Sequence, residues 1–272
     1  MYILLVIKDT MESGDFVENV VSPPFTEKII DGYKIIEYEK SNIFVIEDIF
    51  DDALCEEFCN LIDVLPSKKI TYFSGNNVKC HISHMNELMN TKDDLFYAFS
   101  TDSTEYAKML ENATRPNKPV IHTNLMNGVT HDTVVDFNGK INKRIKKVAE
   151  LMKEINTHIK FDHNSGYILR KIYGPTRLHI DGINEIYNSD INFIHDKKFG
   201  DYKMIRNATI IIALNDDYDG GLYNFPYYGV SLRLKKGSVL IFPPFWTHEH
   251  EATELMNNTT KYTITTWTCM KI

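Results

Sequence analysis

Two histidines and one aspartate are spaced in this sequence in a way that suits a metal site. One residue separates His179 from Asp181, and His250 follows much later. Two imidazoles and one carboxylate are the ligand set that holds non-haem Fe(II) on one face and leaves the opposite face open. Side chains of a β-strand repeat every two residues, so His179 and Asp181 would point the same way and a distant strand would supply the third ligand. His248 shares a strand face with His250 and is the alternative third ligand.

The composition indicates a globular protein without nucleic-acid or membrane partners. The chain has 272 residues, 43% of them hydrophobic and 12% aromatic, which suffices for one β-sandwich or barrel with additions. A net charge of −7 and a pI near 5.8 argue against a phosphate-binding surface. No apolar run approaches the roughly 18 residues that a membrane span needs. The four cysteines form no C-x-x-C pair, so we expect reduced thiols in a soluble, intracellular protein.

The elements that must position these residues are mostly strands. Five β-rich runs follow one another in the C-terminal hundred residues and predict an antiparallel sandwich or barrel: Tyr167–Tyr173, Ala208–Leu214, Leu222–Phe225, Ser238–Phe242 and Tyr262–Trp267. Upstream, residues 33–38 and 42–46 predict two more strands. Asp51 then caps an amphipathic helix that runs to Leu65. Apolar residues recur at helical spacing from Ile141 to Ile159, whereas turn residues dominate 66–138.

Several motifs occur in a fixed order between these predicted strands. They are Leu169–Tyr173, Leu178–Gly182, Ile212–Asp217, Gly220–Pro226, Lys235–Pro243, Trp246–His250 and Lys261–Trp267, preceded by the strand and helix of Ile43–Leu65. In this order they resemble the 2-oxoglutarate- and Fe(II)-dependent dioxygenase superfamily, and in particular its prolyl 4-hydroxylase branch. The Trp246–His250 motif is also similar to that of viral and phage members, for which the location would be a host cell or a virion.

The resemblance implies a fold and a chemistry. The fold class would be mainly β with helices (α+β), with a double-stranded β-helix (jelly-roll) core at about 165–270 and N-terminal supporting helices. Residues 1–42 would form an N-terminal extension and 43–272 the dioxygenase domain. The implied cofactors are Fe(II), 2-oxoglutarate as co-substrate and O2, with ascorbate as a reductant. The implied reaction is procollagen-proline-like 4-hydroxylation of prolyl residues in a peptide or protein substrate.

The resemblance also assigns roles to individual residues. His179, Asp181 and His250 would be the catalytic metal ligands. Lys261 matches the basic position that pairs with the distal carboxylate of 2-oxoglutarate, and Thr265 and Trp267 share its strand face. Tyr173 resembles a tyrosine that hydrogen-bonds the same carboxylate. A second such tyrosine is replaced by Ala213, with Thr209 as its substitute on the same strand.

Three alternatives stay open at the level of the sequence. The substrate could be another amino-acid residue or a small molecule. The chain could also be a catalytically degenerate jelly-roll binding module, although a broken triad would then be expected. The segment 183–206 between the metal motif and the next strand is long enough to cover a peptide. The oligomeric state is not indicated by the sequence.

Overall fold

The structure is a computed structural model that describes residues 24–65, 67–71, 78–85, 88, 129–161, 163–182 and 204–271. Most of segment 183–206, the expected peptide cover, therefore lies outside the described residues. Within the described ranges the chain forms two α-helices, α1 (Asp52–Val64) and α2 (His131–Ile155), and sixteen β-strands in antiparallel pairs. None of the described helices is long and apolar enough to cross a membrane.

A ten-stranded sheet forms the larger layer. Its order is β1-β2-β3-β13-β9-β16-β7-β5-β4, and β6 pairs with β16. The ten strands are β1 (Phe25–Ile30), β2 (Tyr33–Tyr38), β3 (Ile43–Ile46), β4 (Lys68–Thr71), β5 (Val78–His84), β6 (His163–Asn164), β7 (Ile168–Ile172), β9 (Met204–Ala213), β13 (Val239–Phe242) and β16 (Lys261–Lys271). Strands β1 and β2 extend this sheet beyond β3, and the boundary proposed at residue 43 stays a prediction.

A four-stranded sheet of order β12-β11-β14-β8 forms the second layer. Its strands are β8 (Thr176–His179), β11 (Tyr223–Phe225), β12 (Val230–Leu232) and β14 (His250–Ala252); a separate pair joins β10 (Asp219–Gly220) to β15 (Leu255–Met256). The chain passes repeatedly between the two sheets, and apolar side chains of β9, β13, β11 and β12 pack together between them. The predicted mainly β jelly roll with supporting helices is confirmed.

The two helices pack on the other side of the large sheet. Helix α1 begins where the sequence predicted, since the Asp51 side chain accepts a hydrogen bond from the Leu54 amide at 2.9 Å. Helix α2 begins earlier than its apolar period suggested, because Thr130 and Thr133 form a capping box, and it ends before Ile159. Their apolar faces join one core with the large sheet. The helices thereby support the layer that carries one wall of the site.

Strands β4 and β5 differ from the sequence expectation for residues 66–138. The stretch is rich in turn residues, yet Lys68–Thr71 and Val78–His84 form an antiparallel pair at the edge of the large sheet. Strand β5 in turn pairs with β7. Only β4 lies at the edge, and its run of two lysines shows no alternation. In β5, apolar Val78, Cys80 and Ile82 alternate with polar residues, which was an available signal for a strand within this turn-rich stretch.

Candidate metal centre

The three predicted metal ligands lie close together, where the end of one strand meets the beginning of its neighbour. They are His179, Asp181 and His250. His179 ends β8, His250 begins β14, and the two residues are direct partners in the antiparallel ladder. Asp181 lies two residues beyond His179. One ligand atom from each of the three side chains lies within 4.8 Å of the other two. The structure therefore places together the three residues that the sequence predicted as metal ligands.

Both imidazoles are held in one tautomer by carbonyl oxygens of the nearby backbone. The Nδ1 atom of His179 lies 2.8 Å from the carbonyl oxygen of Arg177, and that of His250 lies 3.0 Å from the carbonyl oxygen of His248. A carbonyl oxygen can only accept, so each Nδ1 carries the proton. Each Nε2 is then left with a lone pair directed at the cluster, which is the arrangement that metal-binding histidines use.

Asp181 is fixed as a carboxylate by polar neighbours. The Thr209 hydroxyl donates to Oδ2 at 2.8 Å, and the Arg206 guanidinium donates to the backbone carbonyl at 2.5 Å. Burial alone would raise the pKa of Asp181. The imidazoles of His179 and His250, in their protonated forms, outweigh burial and, together with the Thr209 hydroxyl, hold the pKa of Asp181 well below its usual range. Asp181 thus offers a charged oxygen at neutral pH.

The two imidazoles differ in proton affinity. Burial lowers the pKa of His250, and the charge of Asp181 only partly compensates. Burial also lowers the pKa of His179, but its hydrogen bond and charge interaction with Asp181 more than compensate, so the pKa is raised overall. Protonation therefore competes with metal binding more strongly at His179 than at His250.

The alternative third ligand, His248, lies elsewhere. It is 3% exposed, its Nε2 lies 2.5 Å from the carbonyl oxygen of Ser41, and its Nδ1 lies 2.8 Å from the Thr247 hydroxyl. Both ring nitrogens are therefore occupied by contacts outside the cluster. The position of its ring favours His250 over His248 as the third metal ligand.

The geometry of the cluster fits a single ion. The Nε2 atom of His179 lies 3.4 Å from one carboxylate oxygen of Asp181, and that of His250 lies 3.8 Å from the other. Donors at about 2.1 Å from one ion at right angles are about 3 Å apart, so a small contraction suffices. No fourth His, Cys, Asp or Glu of the described residues joins the group. Two nitrogens and one carboxylate with open positions suit Fe(II).

A pocket leads from this cluster between the two sheets to Lys261. Lys261 is 2% exposed, and its ammonium group donates to the carbonyl oxygen of Gly221 at 2.7 Å and lies 3.6 Å from the Tyr223 ring centroid. Burial, followed by the charge of Arg233, lowers the pKa of Lys261 well below its usual value. An anionic ligand in the pocket would raise that pKa again. Thr263 and Thr265 also line the pocket.

The remaining predicted site residues occupy different positions. Trp267 lies on the same strand face as Lys261 and is stacked by the Arg206 guanidinium at 3.8 Å, whereas Thr209 contacts Asp181. Tyr173 directly follows β7, and its ring lies against that of His81 at 5.5 Å. Because Ile172 lines the pocket, the next residue points away from it. The position of Tyr173 does not support its predicted contact with the co-substrate.

Two arginines of the site were missed by the sequence reasoning. Arg170 of β7 lines the pocket, and Arg206 of β9 supports Asp181. Alternation along β7 places Arg170 and Ile172 on one face, but it does not indicate which face lines the pocket. Nothing in the sequence near Arg206 indicated its contact, which depends on how β9 passes behind Asp181.

A protein-family model matches the part of the chain that contains the metal centre and most of the pocket. Residues 172–269 match the model of the 2OG-Fe(II) oxygenase superfamily, which confirms the resemblance at that level. No curated protein matches the chain.

Several solved structures are similar at low identity. A viral collagen prolyl hydroxylase from Paramecium Bursaria Chlorella virus-1 has 13% identity and a TM-score of 0.46 over 84% of this chain and 96% of that one. A 2OG-Fe(II) oxygenase family oxidoreductase from Burkholderia pseudomallei has 13% identity and a TM-score of 0.46 over 83% of each chain. A Trichoplax adhaerens prolyl hydroxylase bound to a hypoxia inducible factor peptide has 13% identity and a TM-score of 0.42 over 84% of each.

Proposed function

We propose that this protein is an Fe(II)- and 2-oxoglutarate-dependent oxygenase that hydroxylates prolyl residues of a peptide or protein at C4. The observation that supports the proposal best is the cluster of His179, Asp181 and His250 at one end of a pocket whose far end is a buried lysine. Bound Fe(II) would supply the redox chemistry that couples O2 to the oxidation of the 2-oxo acid and of a substrate C–H bond.

The residues of the chain have separable tasks in this proposal. The two imidazoles and Asp181 would hold the ion on one face and leave the other face open. Lys261 would bind the distal carboxylate of 2-oxoglutarate, because a buried ammonium with no acidic partner among the described residues needs a counter-charge. The apolar walls between the sheets would exclude water from the reacting groups. Ascorbate as a reductant belongs to the same proposal.

Support for a peptide substrate comes from the outer rim of the site. Gly182, next to Asp181, packs so closely on the backbone of Pro244 that a Cβ atom there would lie 2.6 Å from the Pro244 carbonyl oxygen. The two residues after Pro244 are Phe245 and Trp246, which are 42% and 79% exposed. Exposed aromatic side chains beside a cleft are suited to bind a chain segment. The choice of proline rests on the motif resemblance to the prolyl 4-hydroxylase branch.

The first test is binding of the metal and the 2-oxo acid. Anaerobic addition of Fe(II) and 2-oxoglutarate should give a weak visible charge-transfer band, which should vanish in His179→Ala. His158→Ala, which removes an exposed histidine, should leave the band unchanged. An absent band in the wild-type protein, or a band that persists in His179→Ala, would contradict the oxygenase proposal.

The second test concerns the substrate. Succinate release should rise when Pro-rich peptides are added, and mass spectrometry should show one added oxygen on proline. The same peptides with proline replaced by alanine are the control. Equal turnover of both sets would reject proline and leave the oxygenase proposal in place.

A further inference from the structure

Arg170 is a half-buried cation that lines the pocket, and the proposed function does not use it. It lies on β7 directly opposite Thr263 of β16, and both side chains line the pocket between the sheets. Its neighbours on the same strand, Leu169 and Lys171, point to the other face, where Lys171 pairs with Asp63 at 2.6 Å. The direction of Arg170 is therefore set by the alternation of the strand.

The guanidinium of Arg170 has an unpaired donor. Its Nε atom is buried and makes no hydrogen bond to any described residue. Asp181 is the only acid among the described residues that line the pocket. A buried donor without an acceptor is unfavourable unless a ligand supplies one.

Two further donors on the neighbouring strand β16 are also unpaired, and the first of them lines the pocket. The hydroxyl of Thr265 and the indole nitrogen of Trp267 are buried without a hydrogen-bond partner in the described part of the protein. Both residues lie on the same face of β16 as Thr263, two and four positions further along the strand. Trp267, the last of the three, pairs with Thr209 of β9. Three unpaired donor groups on adjacent strands call for an acceptor-rich, anionic ligand.

The register places Arg170 between Lys261 and the metal centre. Lys261 is opposite Ile172, so Arg170 lies one two-residue step, about 7 Å, along the strands toward Asp181. Further along β16 in the same direction, Trp267 pairs with Thr209, whose hydroxyl donates to Asp181. Arg170 therefore lies on the metal side of Lys261.

We propose that Arg170 binds the metal-proximal carboxylate of the 2-oxo acid, while Lys261 binds the distal one. The inference rests on the proposed function and assigns each end of a dicarboxylate to its own cation. The planar fork of a guanidinium matches a carboxylate with two parallel hydrogen bonds. Thr265 offers a third donor nearby.

The experiment separates the two ends with two ligands. Anaerobic calorimetry on the Mn(II)-loaded protein would measure the affinity for 2-oxoglutarate and for 2-oxopentanoate, which lacks the distal carboxylate. Arg170→Met should lower the affinity for both ligands by a similar factor, about 10- to 100-fold, as expected for lost hydrogen bonds to a charged group. Lys261→Met should lower the affinity for 2-oxoglutarate alone. Arg170→Lys, which keeps the charge without the fork, should fall between wild type and Arg170→Met.

A double-mutant cycle with 2-oxoglutarate provides a second measurement. If the two cations bind separate carboxylates, the losses of binding free energy in Arg170→Met and Lys261→Met should add up to the loss in the double variant. If both cations bind one carboxylate, the losses should not add up. Lys171→Met is the matched control, because it removes a cation from the same strand on the opposite face and should bind both ligands as the wild type does. Thermal unfolding without ligand identifies any variant that fails to fold, in which case Arg170→Lys decides.

The outcomes distinguish this inference from the proposed function. A wild-type protein that binds neither 2-oxo acid would reject the proposed function itself. Wild-type binding that Arg170→Met leaves unchanged would overturn the role of Arg170 alone. A loss confined to 2-oxoglutarate, or a non-additive cycle, would move Arg170 to the distal carboxylate and overturn the assignment of ends.

Discussion

The hydroxyl of Thr209 should contribute strongly to metal affinity. Thr209 is fully buried, and its Oγ1 donates at 2.8 Å to the Asp181 oxygen that also faces His250. Thr209→Val keeps the shape of the side chain and removes this hydrogen bond. A hydrogen bond to a charged group contributes about 1.5–3 kcal/mol. Since 1.4 kcal/mol is about a factor of ten in affinity, the dissociation constant should rise about 10- to 100-fold.

The assay is a titration of the metal-free protein with Co(II), followed by its visible absorption, at pH 7. Thr266→Val is a matched control on β16, because Thr266 is equally buried but its hydroxyl has no hydrogen-bond partner among the described residues. It should bind Co(II) as the wild type does and be no less stable, since an unpaired hydroxyl is removed. Thr209→Ser, which restores the donor, should recover most of the affinity.

Two results would refute this reasoning. Wild-type Co(II) affinity in Thr209→Val would show that the hydrogen bond does not orient Asp181. An equal loss in Thr266→Val would show that any change in this layer of the sheet disturbs the site, so that the effect belongs to packing rather than to the carboxylate.

Two further predictions concern stability. Phe58→Ala should lower the free energy of unfolding in urea by about 3–5 kcal/mol, because Phe58 is fully buried and edge-on to Phe50 and Phe137; a loss below about 1 kcal/mol would show that the helix–sheet core is loosely packed. Burial raises the pKa of Cys55 from 9.0 to about 12, so above pH 9 the unfolded chain releases a proton that the folded chain keeps, and stability should fall by up to about 1.4 kcal/mol per pH unit from this thiol. Urea unfolding at pH 8 and pH 10 should show a smaller decline in Cys55→Ala, and equal declines would contradict the shift.

The metal ligands could be predicted because their geometry is local. The alternation of a strand sets the common direction of His179 and Asp181, and the order of the motifs indicated which later strand returns beside them. The choice between His248 and His250 was not local. It depends on the backbone of Ser41, far away in the sequence, whose carbonyl oxygen lies 2.5 Å from His248.

The pocket wall was less predictable, because alternation alone does not indicate which face of β7 lines the pocket. Resemblance assigned Tyr173 to the co-substrate, whereas alternation allows either Arg170 and Ile172 or Lys171 and Tyr173 to face the pocket. Only the pairing of β7 with β16 selects the first set, since Arg170 lies opposite Thr263. A shift by one residue would have exchanged the two faces, which is why register decides the chemistry of a sandwich interior.

The same backbone device orients both imidazoles of the cluster. In each case Nδ1 donates to the carbonyl oxygen two residues earlier, that of Arg177 for His179 and that of His248 for His250. Arg177 precedes His179 on β8, whereas His248 ends the short 3-10 helix Trp246–His248 just before β14. In both cases the local backbone supplies the acceptor, and no other side chain is needed. Side-chain replacements at 177 and 248 keep that carbonyl oxygen, whereas Asp181 depends on the hydroxyl of Thr209. The carboxylate is therefore the ligand whose orientation is most sensitive to single substitutions around it.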